Sequence, residues 1–180
     1  LVGSEMCIRD SYMGLQLLER EKSVLKGGDK DLQPDFAGKE YLLERQLKPE
    51  ARRDIIQKLA KEGIQPTSMM DVSDGLSSEL LHICTQSKVG CRIYEEHIPI
   101  DYQTAVMAEE FNMNLTTCAL NGGEDYELLF TVPLALQERV MRMGGVDVIG
   151  HITAENTGAY LVTPDGGEIR LKAQGFRDKE

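Results

Sequence analysis

The sequence contains no tryptophan, and aromatic residues make up only 6% of its 180 residues. Positive charge is also scarce, because 20 lysines and arginines stand against 30 aspartates and glutamates, for a net charge of -10. A chain this acidic repels nucleic acids and anionic membrane surfaces, so we expect neither as a partner. It can still bind a phosphorylated ligand if cations or backbone N–H groups lie between the like charges, and magnesium is the usual cation.

Metal-binding and membrane-spanning patterns are absent as well. The four cysteines form no Cys-x-x-Cys pair and the three histidines are scattered, so we expect no zinc site. No disulfide framework is visible, which favours a reducing compartment. No apolar run approaches the ~18 residues that a membrane helix needs, and the first residues lack the apolar stretch of a secretory signal. The expected location is therefore the cytoplasm.

Residues 1–11 show no clean period and join abruptly to a helical pattern at Tyr12. They resemble a translated sequencing adapter, so we predict a non-native tail and leave it out of the predicted fold; an ordinary frayed tail is the alternative. We predict that residues 12–180 form a single domain, because a chain of this length usually contains one.

Apolar residues recur with helical spacing in some segments and alternate or cluster as in strands in others. The spacing predicts helices over 12–26, 39–46, 75–87, 102–111, 115–120 and 133–143, and one that begins at Pro49 and ends at Gly63. Strands are predicted over 67–72, 90–95, 126–132, 146–152, 159–163 and 168–171. This mixture predicts an α+β fold, with helices layered on a mixed or antiparallel sheet.

The strongest candidate site is Asp71-Val72-Ser73-Asp74-Gly75, here named the Asp motif, where an apolar strand gives way to a helix. Free N–H groups at a helix start favour anions, and magnesium takes oxygen ligands that it shares with phosphates. Asp71 and Asp74 can each offer a carboxylate, and Ser73 a hydroxyl. Alternatively, Ser73 or Asp74 only caps the helix. Spacing alone leaves both interpretations open, although capping does not explain Asp71.

The second candidate is the segment 121–130, Asn-Gly-Gly-Glu-Asp-Tyr-Glu-Leu-Leu-Phe, here named the Gly motif. Gly122 and Gly123 follow a helix, and glycines there allow a backbone to approach a ligand closely. Three acidic residues follow just before an apolar strand. The alternative is a helix C-cap, a turn and a solvated strand edge.

Together, the Asp motif and the Gly motif resemble the C-terminal half of thiamine-monophosphate kinase, with similarity over residues 12–176. Either motif alone would indicate only the wider aminoimidazole-ribonucleotide-synthetase-like superfamily. The resemblance implies the C-terminal domain fold of that superfamily and the phosphorylation of thiamine monophosphate by ATP to thiamine diphosphate. It also implies a homodimer in the full-length protein, and an N-terminal ATP-binding domain that this chain lacks. We therefore expect a truncated fragment that is inactive alone.

The resemblance implies roles for five residues. Asp71 and Asp74 are magnesium ligands, Ser73 contacts ATP, and Glu124 contacts thiamine monophosphate. Phe176 matches an aromatic residue that packs on the substrate. No covalent catalyst is implied, because magnesium ions can align the two phosphates for direct transfer. Two other interpretations stay open: another enzyme of the superfamily, of the selenophosphate synthetase or hydrogenase maturation type, or a non-catalytic interaction domain.

Overall fold

The computed structural model describes residues 1–4, 10–26, 36–123 and 126–173, apart from the side chains of residues 24 and 25. The helices within these ranges are α1 Asp10–Lys26, α2 Glu40–Leu47, α3 Arg53–Lys61, α4 Leu76–Ser87, α5 Tyr102–Glu110, α6 Leu115–Asn121 and α7 Gln137–Met143. The strands are β1 Val2–Ser4, β2 Ser68–Val72, β3 Val89–Tyr94, β4 Glu127–Thr131, β5 Val146–Val148, β6 Gly150–Ala154, β7 Ala159–Val162 and β8 Glu168–Arg170. None of these helices has the length and hydropathy needed to span a membrane.

The strands form two four-stranded sheets. The first has the order β2-β4-β1-β5 and is antiparallel throughout. The second has the order β6-β3-β7-β8, in which β3 and β7 run parallel and the other pairs antiparallel. The predicted α+β fold with mixed and antiparallel pairing is thereby confirmed.

Three clusters of buried side chains hold these elements together. The largest joins α4 to both sheets through Leu76, Leu80, Ile93, Leu129 and Leu161. A second cluster packs α3 and α7 on the first sheet, and a third joins α1, α2, α5 and α6. Apolar surface removed from water in this way contributes most of the driving force for folding. The first cluster also fixes the start of α4, and with it the Asp motif.

The single strand predicted over 146–152 is wrong, because the chain changes sheets within it. β5 belongs to the first sheet and β6 to the second. Ile149 lies between them with its side chain fully buried. Its N–H donates to the carbonyl of Leu1, the residue before β1 of the first sheet, and its carbonyl accepts from the N–H of Tyr94 in the second sheet. A continuous apolar run therefore serves two sheets.

The helix predicted to begin at Pro49 is also wrong at its start. α3 begins at Arg53, with Arg52 in a non-helical conformation before it. The buried guanidinium of Arg52 pairs with Asp54 and with Glu127 on the first sheet. This tertiary anchor places Arg52 at the boundary, so that the residues from Pro49 to Arg52 stay outside the helix.

The predicted fold leaves out residues 1–11, but the structure shows that Val2–Ser4 form a strand of the first sheet. β1 lies between β4 and β5, and both Val2 and Ser4 are buried. α1 begins at Asp10, two residues before the predicted start at Tyr12. A three-residue strand has too few alternating positions to reveal itself in sequence. The non-native origin of residues 1–11 stays a prediction.

Candidate functional site

The fold brings the Asp motif and the Gly motif to the same edge of the first sheet. β2 and β4 are antiparallel neighbours, with Asp71 opposite Leu128 and Val72 opposite Glu127. The end of β2 therefore lies beside the start of β4. The backbone N–H of Tyr126 extends this pairing, because it donates to the Val72 carbonyl at 3.0 Å. Two segments that are distant in sequence thus form one surface.

Two glycines allow the motifs to touch. A Cβ added to Gly123 would lie 2.3 Å from the Ser73 carbonyl oxygen. A Cβ added to Gly75 would lie 2.9 Å from the Gly122 carbonyl oxygen, and Gly75 has a φ of +119°. Both distances are shorter than any real Cβ contact, so each position requires glycine. Gly122 does act as the C-cap of α6, but a C-cap alone does not account for Gly123.

The capping interpretation of the Asp motif is wrong. The N-cap of α4 is Gly75, which has no side chain to cap the helix, and within the described residues no side-chain hydrogen bond caps this end. Asp71 and Asp74 are exposed, and Ser73 is half-buried. The two carboxylates are therefore presented to solvent at the edge of the sheet, where a cation could reach them.

Glu79 is a buried acid behind the Asp motif that the sequence pattern does not single out. Its side chain is 2% exposed. Its Oε1 accepts from the Asp74 N–H at 2.8 Å, from the Ser73 N–H at 3.3 Å and from the Ser73 hydroxyl at 3.4 Å. These two N–H groups, which precede the N-cap of α4, are consequently not free for an anion. The sequence does contain a signal for this burial, because the helical spacing places Glu79 on the same apolar face as Leu76, Leu80 and Ile83.

A second buried acid lies within the Gly motif itself. Glu127, the first residue of β4, is 1% exposed and contacts two guanidiniums. Arg45 Nη2 lies 2.5 Å from its Oε1 and Arg52 Nη1 lies 2.5 Å from its Oε2. The Ser4 hydroxyl also donates to it. Burial alone would lower the pKa of Arg52, but its bonds to Asp54 and Glu127 outweigh burial and raise it.

Asp10 lies at the edge of this charged cluster, with its Oδ2 3.9 Å from Arg45 Nε. Thr104 and Tyr41 donate to its carboxylate. Burial nevertheless raises the pKa of Asp10 above the ordinary range, although these bonds and the charge of Arg45 oppose the shift. The cluster links α1, α2 and the start of α3 to β4, so these elements together set where the Gly motif lies.

The carboxylates at the sheet edge could hold magnesium only if a bound ligand supplied some of the remaining oxygen atoms around the metal ion. Within the described ranges, no group of three or more histidines, cysteines, aspartates and glutamates is arranged to hold a metal ion. Asp71 and Asp74 provide two carboxylates. Magnesium often takes one or two carboxylates from a protein and completes its shell with phosphates and water. Glu124 and Phe176 lie outside the described residues, so their roles stay predictions.

A groove of about 910 Å³ lies elsewhere. Its walls include the start of β1, the residues after β4, and His97 and His151, whose rings pack against Tyr94. Neither Asp71 nor Asp74 faces it. The groove lies next to the residues that follow β4 in the first sheet, whereas the two motifs meet at the opposite end of β4, where that strand begins. Paired carboxylates and the glycine contacts therefore make the motif edge the better candidate.

Residues 17–163 match the family described as AIR synthase related protein, C-terminal domain. The thiamine-monophosphate kinase of Aquifex aeolicus is 35% identical over 163 residues, which cover 91% of this chain and 47% of that protein. A solved structure described as AaThiL complexed with AMPPCP and TMP superposes with a TM-score of 0.72 at 31% identity, over 95% of this chain and 49% of that one. This chain thus spans about half the length of the relatives that it matches.

The hydrogenase maturation protein HypE has the same fold. One of its structures superposes with a TM-score of 0.67 over 99% of this chain, at 16% identity. Identity this low shows the likeness of the fold alone. The sequence likeness to thiamine-monophosphate kinases is about twice as high.

Proposed function

This chain belongs to the family of AIR synthase related proteins, as their C-terminal domain, and on that premise we propose that it forms half of the active site of a thiamine-monophosphate kinase. The observation that carries the proposal is the contact between the two motifs through Gly75 and Gly123. That contact sets two exposed carboxylates close to Gly123, the residue that precedes Glu124 in the sequence.

The proposed reaction transfers the γ-phosphoryl group of ATP to the phosphate of thiamine monophosphate. A bond forms between an acceptor phosphate oxygen and the γ-phosphorus, and the bond to the bridging oxygen breaks, so that ADP leaves. Magnesium, when bound, would neutralise the charge on the two phosphates. The protein's task is then to position the reactants rather than to form a covalent intermediate.

The described residues divide this task. Asp71 and Asp74 would hold magnesium. The hydroxyl of Ser73 would turn from Glu79, to which its bond is long at 3.4 Å, and donate to an ATP phosphate. Glu124 would contact thiamine monophosphate, whose cationic ring suits an acidic surface, and Phe176 would pack on it. The rest of the nucleotide site, the homodimer of the full-length protein and the cytoplasmic location are parts of the same proposal.

Two other functions are less well supported. A hydrogenase maturation or selenophosphate synthetase activity would rest on the fold, for which HypE provides likeness at 16% identity. A non-catalytic interaction domain would require the acids and glycines to act only as caps and turns. The Gly75 N-cap and the exposure of Asp71 and Asp74 speak against that role.

Binding of Mn²⁺, a spectroscopic substitute for magnesium, tests the proposed site in this chain. Electron paramagnetic resonance would measure free Mn²⁺ in titrations with and without ATP. We expect the protein and ATP together to bind more Mn²⁺ than the sum of what each binds alone. Asp71→Asn and Asp74→Asn should each remove that additional binding. Glu155→Gln is the matched control, because it removes one exposed negative charge between β6 and β7 of the second sheet, whereas the motifs meet at β2 and β4 of the first. Equal binding by all four proteins would refute the proposed site.

A further inference from the structure

Glu79 makes an unusual set of contacts for an acid in the first turns of a helix. In a capping box, an acid at the third helical position bonds to the N–H of the cap residue itself. Glu79 is the fourth residue of α4, whose N-cap is Gly75. It reaches past the cap to the two residues before it, Ser73 and Asp74. The contacts thus hold the Asp motif rather than the helix end.

The Asp motif is held from two sides by this arrangement. The N–H groups of Ser73 and Asp74 converge on one oxygen of a carboxylate that is 2% exposed. On the carbonyl side of Ser73, the backbone of Gly123 packs so closely that no Cβ would fit. Charge-assisted bonds of this kind are roughly twice as strong as neutral ones. The backbone that carries Asp74 is therefore fixed before any ligand arrives.

A buried carboxylate here also changes the charge of the site. Glu79 adds a negative charge immediately behind two exposed aspartates and occupies N–H groups that would otherwise attract an anion. Its presence favours a cation over a free phosphate at this edge. A phosphate would then be bound through that cation and through side chains such as Ser73.

We propose that Glu79 is a positioning residue for cation binding at Asp71 and Asp74. The inference rests on the proposed function, since it assumes that the two aspartates hold a metal ion. Glu79 touches neither substrate nor metal; it acts through the backbone of Ser73 and Asp74. Residues that orient metal ligands in this way typically contribute about 10–100-fold to metal affinity.

Three variants of the 180-residue chain test this role. Glu79→Met replaces the carboxylate by an apolar side chain of similar size, and Glu79→Gln keeps one acceptor oxygen without the charge. Ser77→Ala is the control, because the buried Ser77 hydroxyl has no hydrogen-bond partner within the described ranges. For each protein, Mn²⁺ affinity in the presence of ATP, the amide hydrogen exchange of Ser73 and Asp74 by NMR, and the melting temperature would be measured.

We expect Glu79→Met to weaken Mn²⁺ binding by at least about 10-fold and to speed exchange at both amides. Glu79→Gln should lie between Met and wild type in both measurements, and Ser77→Ala should match wild type. A merely structural role would lower the melting temperature and leave the Mn²⁺ affinity of the folded protein unchanged.

The possible outcomes separate this inference from the proposed function. If wild type binds Mn²⁺ through Asp71 but both Glu79 variants bind it equally well, the positioning role is overturned and the proposed site stands. If Asp71→Asn binds as wild type does, both fail. Should Glu79→Met not fold, Glu79→Gln decides: an unchanged Mn²⁺ affinity refutes the role, and weaker Mn²⁺ binding together with faster exchange of the Ser73 and Asp74 amides supports it.

Discussion

Glu127→Gln should destabilise the fold strongly, because it leaves two buried guanidiniums without their shared anion. Arg45 and Arg52 each lie 2.5 Å from one carboxylate oxygen, and all three side chains are almost fully buried. Breaking a buried ion pair by removing one partner costs roughly 3–5 kcal/mol. Arg52 keeps its bonds to Asp54, and Arg45 keeps Asp10 at 3.9 Å. We therefore expect the lower end of that range, about 3 kcal/mol.

The control for this substitution is Glu168→Gln, which removes the same charge from an ion pair at the surface. Glu168 lies 2.7 Å from Arg92 and its side chain is 47% exposed. Exposed pairs contribute about 0–1 kcal/mol. Urea denaturation would give both free energies of unfolding, and a loss of about 3 kcal/mol corresponds to roughly 6–12 °C in melting temperature for a domain of this size. Equal effects of the two substitutions would contradict the structural role assigned to the cluster.

Three further outcomes are expected from the described contacts. Gly123→Ala should lower the free energy of unfolding by at least about 1–3 kcal/mol, because its Cβ meets the Ser73 carbonyl; Gly3→Ala, whose Cβ would make an ordinary 3.7 Å contact, should cost less in the same urea titration. Asp10→Asn should flatten the pH dependence of stability. Burial raises the pKa of Asp10 above its ordinary value of 3.8. The wild type should therefore lose stability as the pH rises from 3.8 toward the pKa of Asp10 in the folded protein. Melting temperatures measured across this pH range would show the loss in the wild type and its absence in Asp10→Asn. Ser77→Ala should leave the melting temperature unchanged or slightly higher, since its buried hydroxyl has no hydrogen-bond partner among the described residues and an unpaired buried hydroxyl costs about 1–3 kcal/mol; a clear decrease would contradict this.

Local patterns made much of the fold predictable. The stripe of Leu76, Leu80 and Ile83 predicts α4 because a helix that packs on a sheet must bury one face, and that face is encoded within a few turns. Most predicted helices and strands agree with the structure to within one or two residues for the same reason.

The errors in the predicted fold come from interactions between distant residues. The strand break at Ile149 depends on bonds to Leu1, the residue before β1 of the first sheet, and to Tyr94 in the second sheet. The late start of α3 depends on the ion pair of Arg52 with Glu127, which is 75 residues away in the sequence. These partners are not visible from the sequence around each break, so periodicity alone continues the element.

The candidate site shows the same division. Asp71, Ser73 and Asp74 stand out because acids interrupt an apolar segment where a strand becomes a helix. The need for glycine at Gly123 depends on the Ser73 carbonyl, a contact that only the folded chain contains. Glu79 lies on the apolar stripe of its helix, which signals burial, but its bonds to the backbone of the Asp motif emerge only from the packing of α4.

Thiamine diphosphate formation by a chimera would test the central claim most directly. Residues 17–163 would replace the matching segment of the Aquifex aeolicus thiamine-monophosphate kinase. Circular dichroism would establish folding, and the products of ATP and thiamine monophosphate would be quantified with and without Asp71→Asn. We expect the folded chimera to form thiamine diphosphate. Asp71→Asn should lower the rate by at least about 100-fold, because losing a metal ligand should cost no less than losing a residue that only orients one. A folded chimera that is inactive, or one whose rate does not depend on Asp71, would contradict the proposed function.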